Sequence, residues 1–224
     1  MRFLVIEGLD GSGKSTQVEL LCKHLEKKSI EFKFLHFPRL EVGIYGKLVA
    51  RFLRGEMGSN EHVDPYLVAL IFAGDRKDAK AEMEQWMKED QLVIVDRYVY
   101  SNIAFQCAKY SHTSEQTNLA RWIMDLEYNV HQLPVPDMNI FLDVPFHFTK
   151  ERLSMDRVGE DRSYLKGSRD IHEADLEFQE KVRGIYHSVC SKLGNLTMVN
   201  CANESGAMRS PEDIFENLKE VIGV

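Results

Sequence analysis

The chain has 224 residues and a formal net charge of −7, with 44% of them hydrophobic and 28% charged, a balance that supports one globular domain with a sizeable core, with room for a small inserted lid. The acidic balance argues against a non-specific nucleic-acid binder, which needs a net basic surface to displace counterions, and no run approaches the roughly 18 apolar residues of a membrane span. Cys22, Cys107, Cys190 and Cys201 are scattered with no Cys-x-x-Cys pair, which excludes a metal ribbon or a disulfide framework and leaves reduced thiols in the cytoplasm as the expectation.

Along the chain, short apolar runs alternate with longer helical patterns. Residues 2–7 form the first run, too short for a secretory signal core, and residues 13–28 carry a helical period through Val18, Leu21, Cys22 and Leu25. A second run covers 32–37, followed by helical patterns over 43–54 and 64–88. The run at 92–95 ends in Asp96, and helices are expected over 98–110 and 114–131. A run at 140–144 leads to a helix near 147–156, and residues 157–171 have no period. A helix over 173–192, a strand at 196–199 and a helix at 211–222 complete the chain. Such alternation predicts an α/β fold: a parallel sheet, its strands buried on both faces and wrapped by helices. Ligands of such sheets sit beyond the carboxyl ends of the strands, so the residues just after each run are the candidates.

Gly8-Leu9-Asp10-Gly11-Ser12-Gly13-Lys14-Ser15 fits the G-x-x-x-x-G-K-[ST] phosphate loop, placed between a strand and a helix as that loop requires. Gly8, Gly11 and Gly13 free the backbone to turn successive N–H groups toward an anion, with Ser12 between them, and the helix opening at Ser15 and Thr16 adds its positive end. Lys14 reaches the outer phosphates, and the Ser15 hydroxyl is a ligand for Mg²⁺. Asp96, closing a strand, is the acid expected near that metal, directly or through water. No Asn-Lys-x-Asp segment is present, which excludes the GTPase type of phosphate-loop protein.

Three further segments narrow the class: Phe37-Pro38-Arg39, Leu70-Ile71-Phe72-Ala73-Gly74-Asp75-Arg76, and Asp96-Arg97-Tyr98-Val99-Tyr100-Ser101-Asn102. With Glu7 through Gln17, this set closely resembles the thymidylate (dTMP) kinase family, in the same order over about residues 1–190. The resemblance implies a nucleoside-monophosphate-kinase fold: a five-stranded parallel sheet with a mobile lid at about 157–171. It implies phosphoryl transfer from ATP to dTMP with Mg²⁺, and a homodimer packed through helices, with nucleotides as the only other partners. Arg39 and Arg97 would bind the acceptor phosphate, Phe72 would stack on thymine, and Arg76 and Asn102 would bond the base edge with Ser101 nearby. Phe105 would crowd the ribose where a 2′-hydroxyl projects, and Asp10 would lie beside the acceptor and its metal. Arginine suits phosphate because its fork binds two oxygens and its charge does not titrate away. Taken singly, Phe72 reads more often as core than as ligand and Arg76 more often as a surface residue; only the joint pattern assigns them to a site.

No basic residue stands at Gly11 or Ser12, so the chain resembles the members whose catalytic cation comes from the lid, with Arg157 and Arg162 as candidates. Arg152 matches the position that packs against adenine. Two departures stand out: His172 replaces the tyrosine usual near the end of the lid, and Pro38 is followed directly by Arg39 where some members have an intervening glutamate. The alternatives from sequence are a kinase for another nucleoside or monophosphate, and a regulatory protein that binds ATP without turnover.

Overall fold

The computed structural model describes residues 1–155 and 160–224, with the side chains of 160–162 outside the description. Five strands, β1 (Phe3–Glu7), β2 (Phe32–His36), β3 (Leu92–Asp96), β4 (Met138–Asp143) and β5 (Leu196–Asn200), form one sheet in the order β2-β3-β1-β4-β5. Every pairing is parallel. The helices are α1 (Lys14–Lys27), α2 (Gly43–Leu53), α3 (Pro65–Lys88), α4 (Val99–Cys107), α5 (Thr113–Met124), α6 (Phe146–Ser154), α7 (Leu176–Ser188) and α8 (Pro211–Ile222). Among the described residues, no helix is long and apolar enough to cross a membrane.

Alternation along each strand splits the core in two. Phe3, Val5, Val93, Val95 and Phe141 face the layer holding α3, α4, α5 and α7, while Leu4, Ile6, Ile94, Ile140 and Leu142 face α1 and α8. Burial on both faces holds for the three inner strands only. Edge strand β2 has exposed residues and leaves Phe34 43% exposed, and β5 is likewise only partly covered, because helices overlap the outer strands incompletely.

Two expected helices are interrupted. The 114–131 pattern is an α-helix only as far as Met124 and continues as a wider π-helix over Asp125–Val130. The 173–192 pattern starts later, because Asp175 takes the N-cap position and accepts a hydrogen bond from Phe178 N. It ends in a short 3₁₀ turn at Cys190–Lys192. Helix α3 starts cleanly at Pro65, with the Asp64 carboxylate accepting from Tyr66 N and Leu67 N.

A third, small core of Val49, Phe52, Leu53 and Val68 joins α2 to α3, with Phe72, Tyr164 and Ile171 packed against it. It ties down residues 160–171, which open on a 3₁₀ turn at Glu160–Leu165. Ile171 N donates to Leu53 O at 2.9 Å, Arg54 Nη1 to Tyr164 O at 2.7 Å, and Ser163 Oγ to Glu41 Oε1 at 2.8 Å. That segment therefore lies against α2, along one side of the cleft above the strand ends.

Candidate active site

A cavity of about 1270 Å³ opens at the carboxyl ends of β1, β2 and β3. At one end is the phosphate loop. Gly13 holds φ 81° at the N-cap of α1, a left-handed conformation that side chains rarely adopt and that frees the loop backbone to turn its amides toward an anion. Ser15 and Thr16 stand exposed on the first turn. Lys14 is 7% exposed, and its Nζ donates to Leu9 O at 2.9 Å and Gly8 O at 3.4 Å. Burial, then Arg97, pushes its pKa down to about 8 against the pull of Asp96, Asp10 and Glu7. A polyphosphate beside it would favour the ammonium form.

Asp96 lies next to this loop. Its Oδ2 contacts His36 Nδ1 at 3.1 Å, while Oδ1 is buried with no partner. Burial opposes its charge, but Lys14 and then His36 outweigh that and hold it down at about 2. A folded pKa below the unfolded value means the carboxylate stabilises the fold above about pH 4, and that contribution is lost as pH falls toward 2. The urea stability gap between wild type and Asp96→Asn is expected to shrink by about 2 kcal/mol over that interval. A gap that stayed constant from about pH 5 to about 2.5 would refute the assignment.

The orphaned Asp96 oxygen and the Ser15 hydroxyl are hard oxygen donors that fit Mg²⁺, an ion that keeps several waters and binds through few protein groups. Among the described residues there is no group of three or more His, Cys, Asp or Glu side chains that could hold a metal.

Beyond the loop, two arginines face the cavity, Arg97 buried and Arg39 partly buried. Arg97 follows β3 with φ 66°, a conformation that costs a non-glycine residue on the order of 1 kcal/mol. Its N–H is anchored on Ile6 O at 3.0 Å. Its guanidinium donates to Asp10 Oδ1 at 2.7 Å and Ser101 Oγ at 3.2 Å, and lies 5.1 Å over the Phe105 ring. Burial disfavours the Asp10 charge, yet Arg97 and Lys14 hold its pKa below the ordinary value. Gln179 on α7 closes the far side of Asp10, donating Nε2 to Oδ2 at 2.7 Å.

Arg39 is held by Asp75, with its N–H on Oδ2 at 2.8 Å, Nε on Oδ1 at 3.0 Å and Nη2 on the Asp75 carbonyl at 2.7 Å. Its loop is clamped from behind by α2: a Cβ at Gly46 would stand 2.0 Å from Arg39 O, so only glycine permits this approach.

The next residue on α3 points to the other end of the cavity. Arg76 is 2% exposed and forms a two-pronged pair with Glu127, Nε to Oε2 at 2.5 Å and Nη2 to Oε1 at 2.6 Å. Asn102 Nδ2 shares Glu127 Oε1 at 2.8 Å and reaches Ala69 O at 3.0 Å. The oxygens Asn102 Oδ1 and Gln106 Oε1 are buried here without partners. Phe72, half-buried, packs edge-on to Phe52 with centroids 6.5 Å apart.

Arg152 projects from α6 over the Phe148 ring at 5.4 Å, beside Gly11 and a recess of about 160 Å³ that also contacts Ser12, Gly13, Thr16 and Arg209. Arg157, and the side chain of Arg162, lie outside the described residues.

The sequence carries little sign of four residues that position these groups. Glu7 is buried beneath Arg97 and accepts from Tyr98 N at 3.0 Å, Ser101 N at 3.2 Å, Ser101 Oγ at 2.5 Å and Tyr186 OH at 2.9 Å. It thereby satisfies free amides at the start of α4, and burial keeps its pKa raised. Asp75, Glu127 and Gln179 act likewise on Arg39, Arg76 and Asp10. A charged residue ending an otherwise apolar strand was the available signal for Glu7, and adjacency to Arg76 for Asp75.

A phosphate loop facing a pair of acid-oriented arginines, over a parallel sheet of this order, is the layout of a P-loop nucleotide kinase. Residues 6–210 match the family described as thymidylate kinase, and the chain belongs to that family. It is 32% identical over 193 residues to a thymidylate kinase of Mycobacterium tuberculosis, spanning 84% of this chain and 86% of that one. It is 33% identical over 224 residues to a probable thymidylate kinase of Pyrobaculum aerophilum, spanning 99% and 96%. A solved structure of thymidylate kinase from Candida albicans shares the fold, with a TM-score of 0.71 and 23% identity over 99% of this chain and 91% of that one.

Proposed function

We propose that the chain transfers the γ-phosphoryl group of ATP to dTMP, giving ADP and dTDP, a step of dTTP biosynthesis. The observation that carries this reading is one cavity with the Lys14 loop at one end, the pair Arg39 and Arg97 in the middle, and an aromatic, polar slot at the other end. A nucleoside without phosphate would leave both arginines facing no anion.

In this reading the amides of Gly11, Ser12, Gly13, Lys14, Ser15 and Thr16 cradle the β- and γ-phosphates, with Gly8 freeing the turn and Lys14 supplying charge. Arg152 flanks the adenine. Ser15, with Asp96 through water, would hold Mg²⁺, which when bound neutralises charge on the outer phosphates. Arg97 and Arg39 fix the acceptor phosphate in line, with Asp10 and Ser101 orienting Arg97. Phe72 stacks on thymine while Arg76 and Asn102 bond its edge, and Phe105 walls the sugar. The acceptor phosphate is already an anion at neutral pH, so catalysis rests on positioning two polyanions and offsetting their repulsion rather than on a strong base. The lid at 157–171 supplies Arg157 and Arg162 as candidates for the cation that meets the transferring oxygens, and its closure excludes water. The reading extends to a cytoplasmic homodimer; exposed Ile44 on α2 and Leu67 and Leu70 on α3 offer apolar surface for the helix packing it needs.

ADP release with ATP and Mg²⁺ against dTMP, dUMP, UMP, dCMP, dGMP, AMP and thymidine tests the proposal. The expected result is a preference for dTMP, with dUMP weaker by about tenfold for its missing methyl. Equal activity on thymidine, or none on any monophosphate, would overturn it.

A further inference from the structure

His172 lies between the two ends of the acceptor site. Its ring is tilted against Phe105 at 5.1 Å, and Phe105 carries the Arg97 guanidinium on its face. The same ring meets Phe52 edge-on at 5.4 Å, and Phe52 meets Phe72. Arg97, Phe105, His172, Phe52 and Phe72 thus form a continuous run from the phosphate end to the base end. What lies between the phosphate and the base of a nucleotide is its sugar. His172 lines the cavity although only 4% of it is exposed.

The ring is also fixed and polar. Phe178 packs on it at 5.2 Å, its backbone N–H donates to Asp170 Oδ1 at 2.8 Å, and its carbonyl accepts from Gln179 Nε2 at 3.0 Å. Nε2 lies 3.2 Å from Asn60 Oδ1. An amide oxygen only accepts, so Nε2 carries the hydrogen and Nδ1 is left as the acceptor. Burial, and then Lys109, pushes the imidazole pKa down to about 3, so the ring stays neutral across physiological pH. A neutral ring with one acceptor nitrogen, set among phenylalanines, is a hydrogen-bond partner for a hydroxyl group.

We propose that His172 is a specificity-determining residue of the acceptor site, its Nδ1 accepting a hydrogen bond from a hydroxyl of the nucleotide's sugar. This rests on the reading of the cavity as the site for dTMP. Two hydroxyls have the required chemistry: the 3′-hydroxyl of dTMP and the 2′-hydroxyl of a ribonucleotide.

The test measures kcat/KM with ATP for two pairs, dTMP against 3′-deoxythymidine monophosphate and UMP against dUMP, in wild type, His172→Phe and Asn60→Leu. His172→Phe keeps a ring and deletes both nitrogens; Asn60→Leu keeps the imidazole and releases its tautomer. One of the two ratios, hydroxyl-bearing over deoxy, is expected to fall about tenfold in His172→Phe, the loss of one uncharged hydrogen bond. The same ratio is expected to fall less in Asn60→Leu, which carries the test alone should His172→Phe not fold. Which ratio falls identifies the hydroxyl. Both ratios unchanged within twofold, or a uniform loss on all four nucleotides, would overturn the proposal by leaving His172 a packing residue. Failure of the wild-type chain to turn over dTMP would instead overturn the assignment beneath it.

Discussion

Arg97→Ala is expected to lower kcat/KM for dTMP by about 10³-fold, with most of the loss in kcat. Arg97 is the group on which the acceptor end converges: Asp10, Ser101, Phe105 and, through Ser101, Glu7 are all arranged around it. The backbone accepts a left-handed conformation to place it. A charge already oriented before the nucleotide arrives needs no reorganisation during transfer, which is why its removal acts on the rate and not only on binding. Arg97→Lys is expected to recover little, because an ammonium cannot span Asp10 and Ser101 and still present a fork to phosphate. Steady-state kinetics with dTMP varied at saturating ATP decide the matter. A loss under tenfold in Arg97→Ala would remove Arg97 from the transfer step.

Glu127→Ala is expected to have the largest effect on stability, about 3–5 kcal/mol, because it strands the Arg76 guanidinium in the core without its partner. Both members of this pair are essentially inaccessible, at 2% and 0% exposure, so solvent offers the remaining charge no relief. The same substitution releases Asn102 Nδ2, so any folded fraction is expected to show a raised KM for dTMP with ATP binding unchanged. Urea denaturation followed by circular dichroism reads the first effect, and kinetics on the residual enzyme reads the second. A stability loss below about 1 kcal/mol would mean that the pair is not the keystone of the base end.

Much of this molecule is legible from its sequence, for identifiable physical reasons. Inner strands such as Leu92–Asp96 must be apolar on both faces, so they stand out from the amphipathic helices around them. The phosphate loop is legible because glycine is required where the backbone turns left-handed. Arg39 and Arg97 are visible as residue types following strands and Arg76 as part of a helical segment, but what orients them is not. Glu127 pairs with Arg76 across 51 residues, and Gln179 with Asp10 across 169; neither has a local signature, since the contact exists only once the π-helix after α5 and helix α7 have packed. Sequence reading also overstated the burial of the edge strands, because an apolar run at an edge looks the same as one in the middle. His172 was visible only as a departure from a pattern; its meaning depends on three aromatic neighbours supplied by different elements.

The π-helix at Asp125–Val130 bears on how this chain tolerates changes in length. A π-turn carries more residues per revolution than an α-turn, so it sets residue 127 out of phase with the helix that precedes it. Removing one residue there and restoring regular winding would swing the carboxylate roughly 100° around the axis, off Arg76 and into a different neighbourhood. Spacing in this segment is thus constrained as tightly as chemistry is. Its partly exposed outer residues give the appearance of a tolerant surface, but a single deletion there would act like the loss of the buried acid itself.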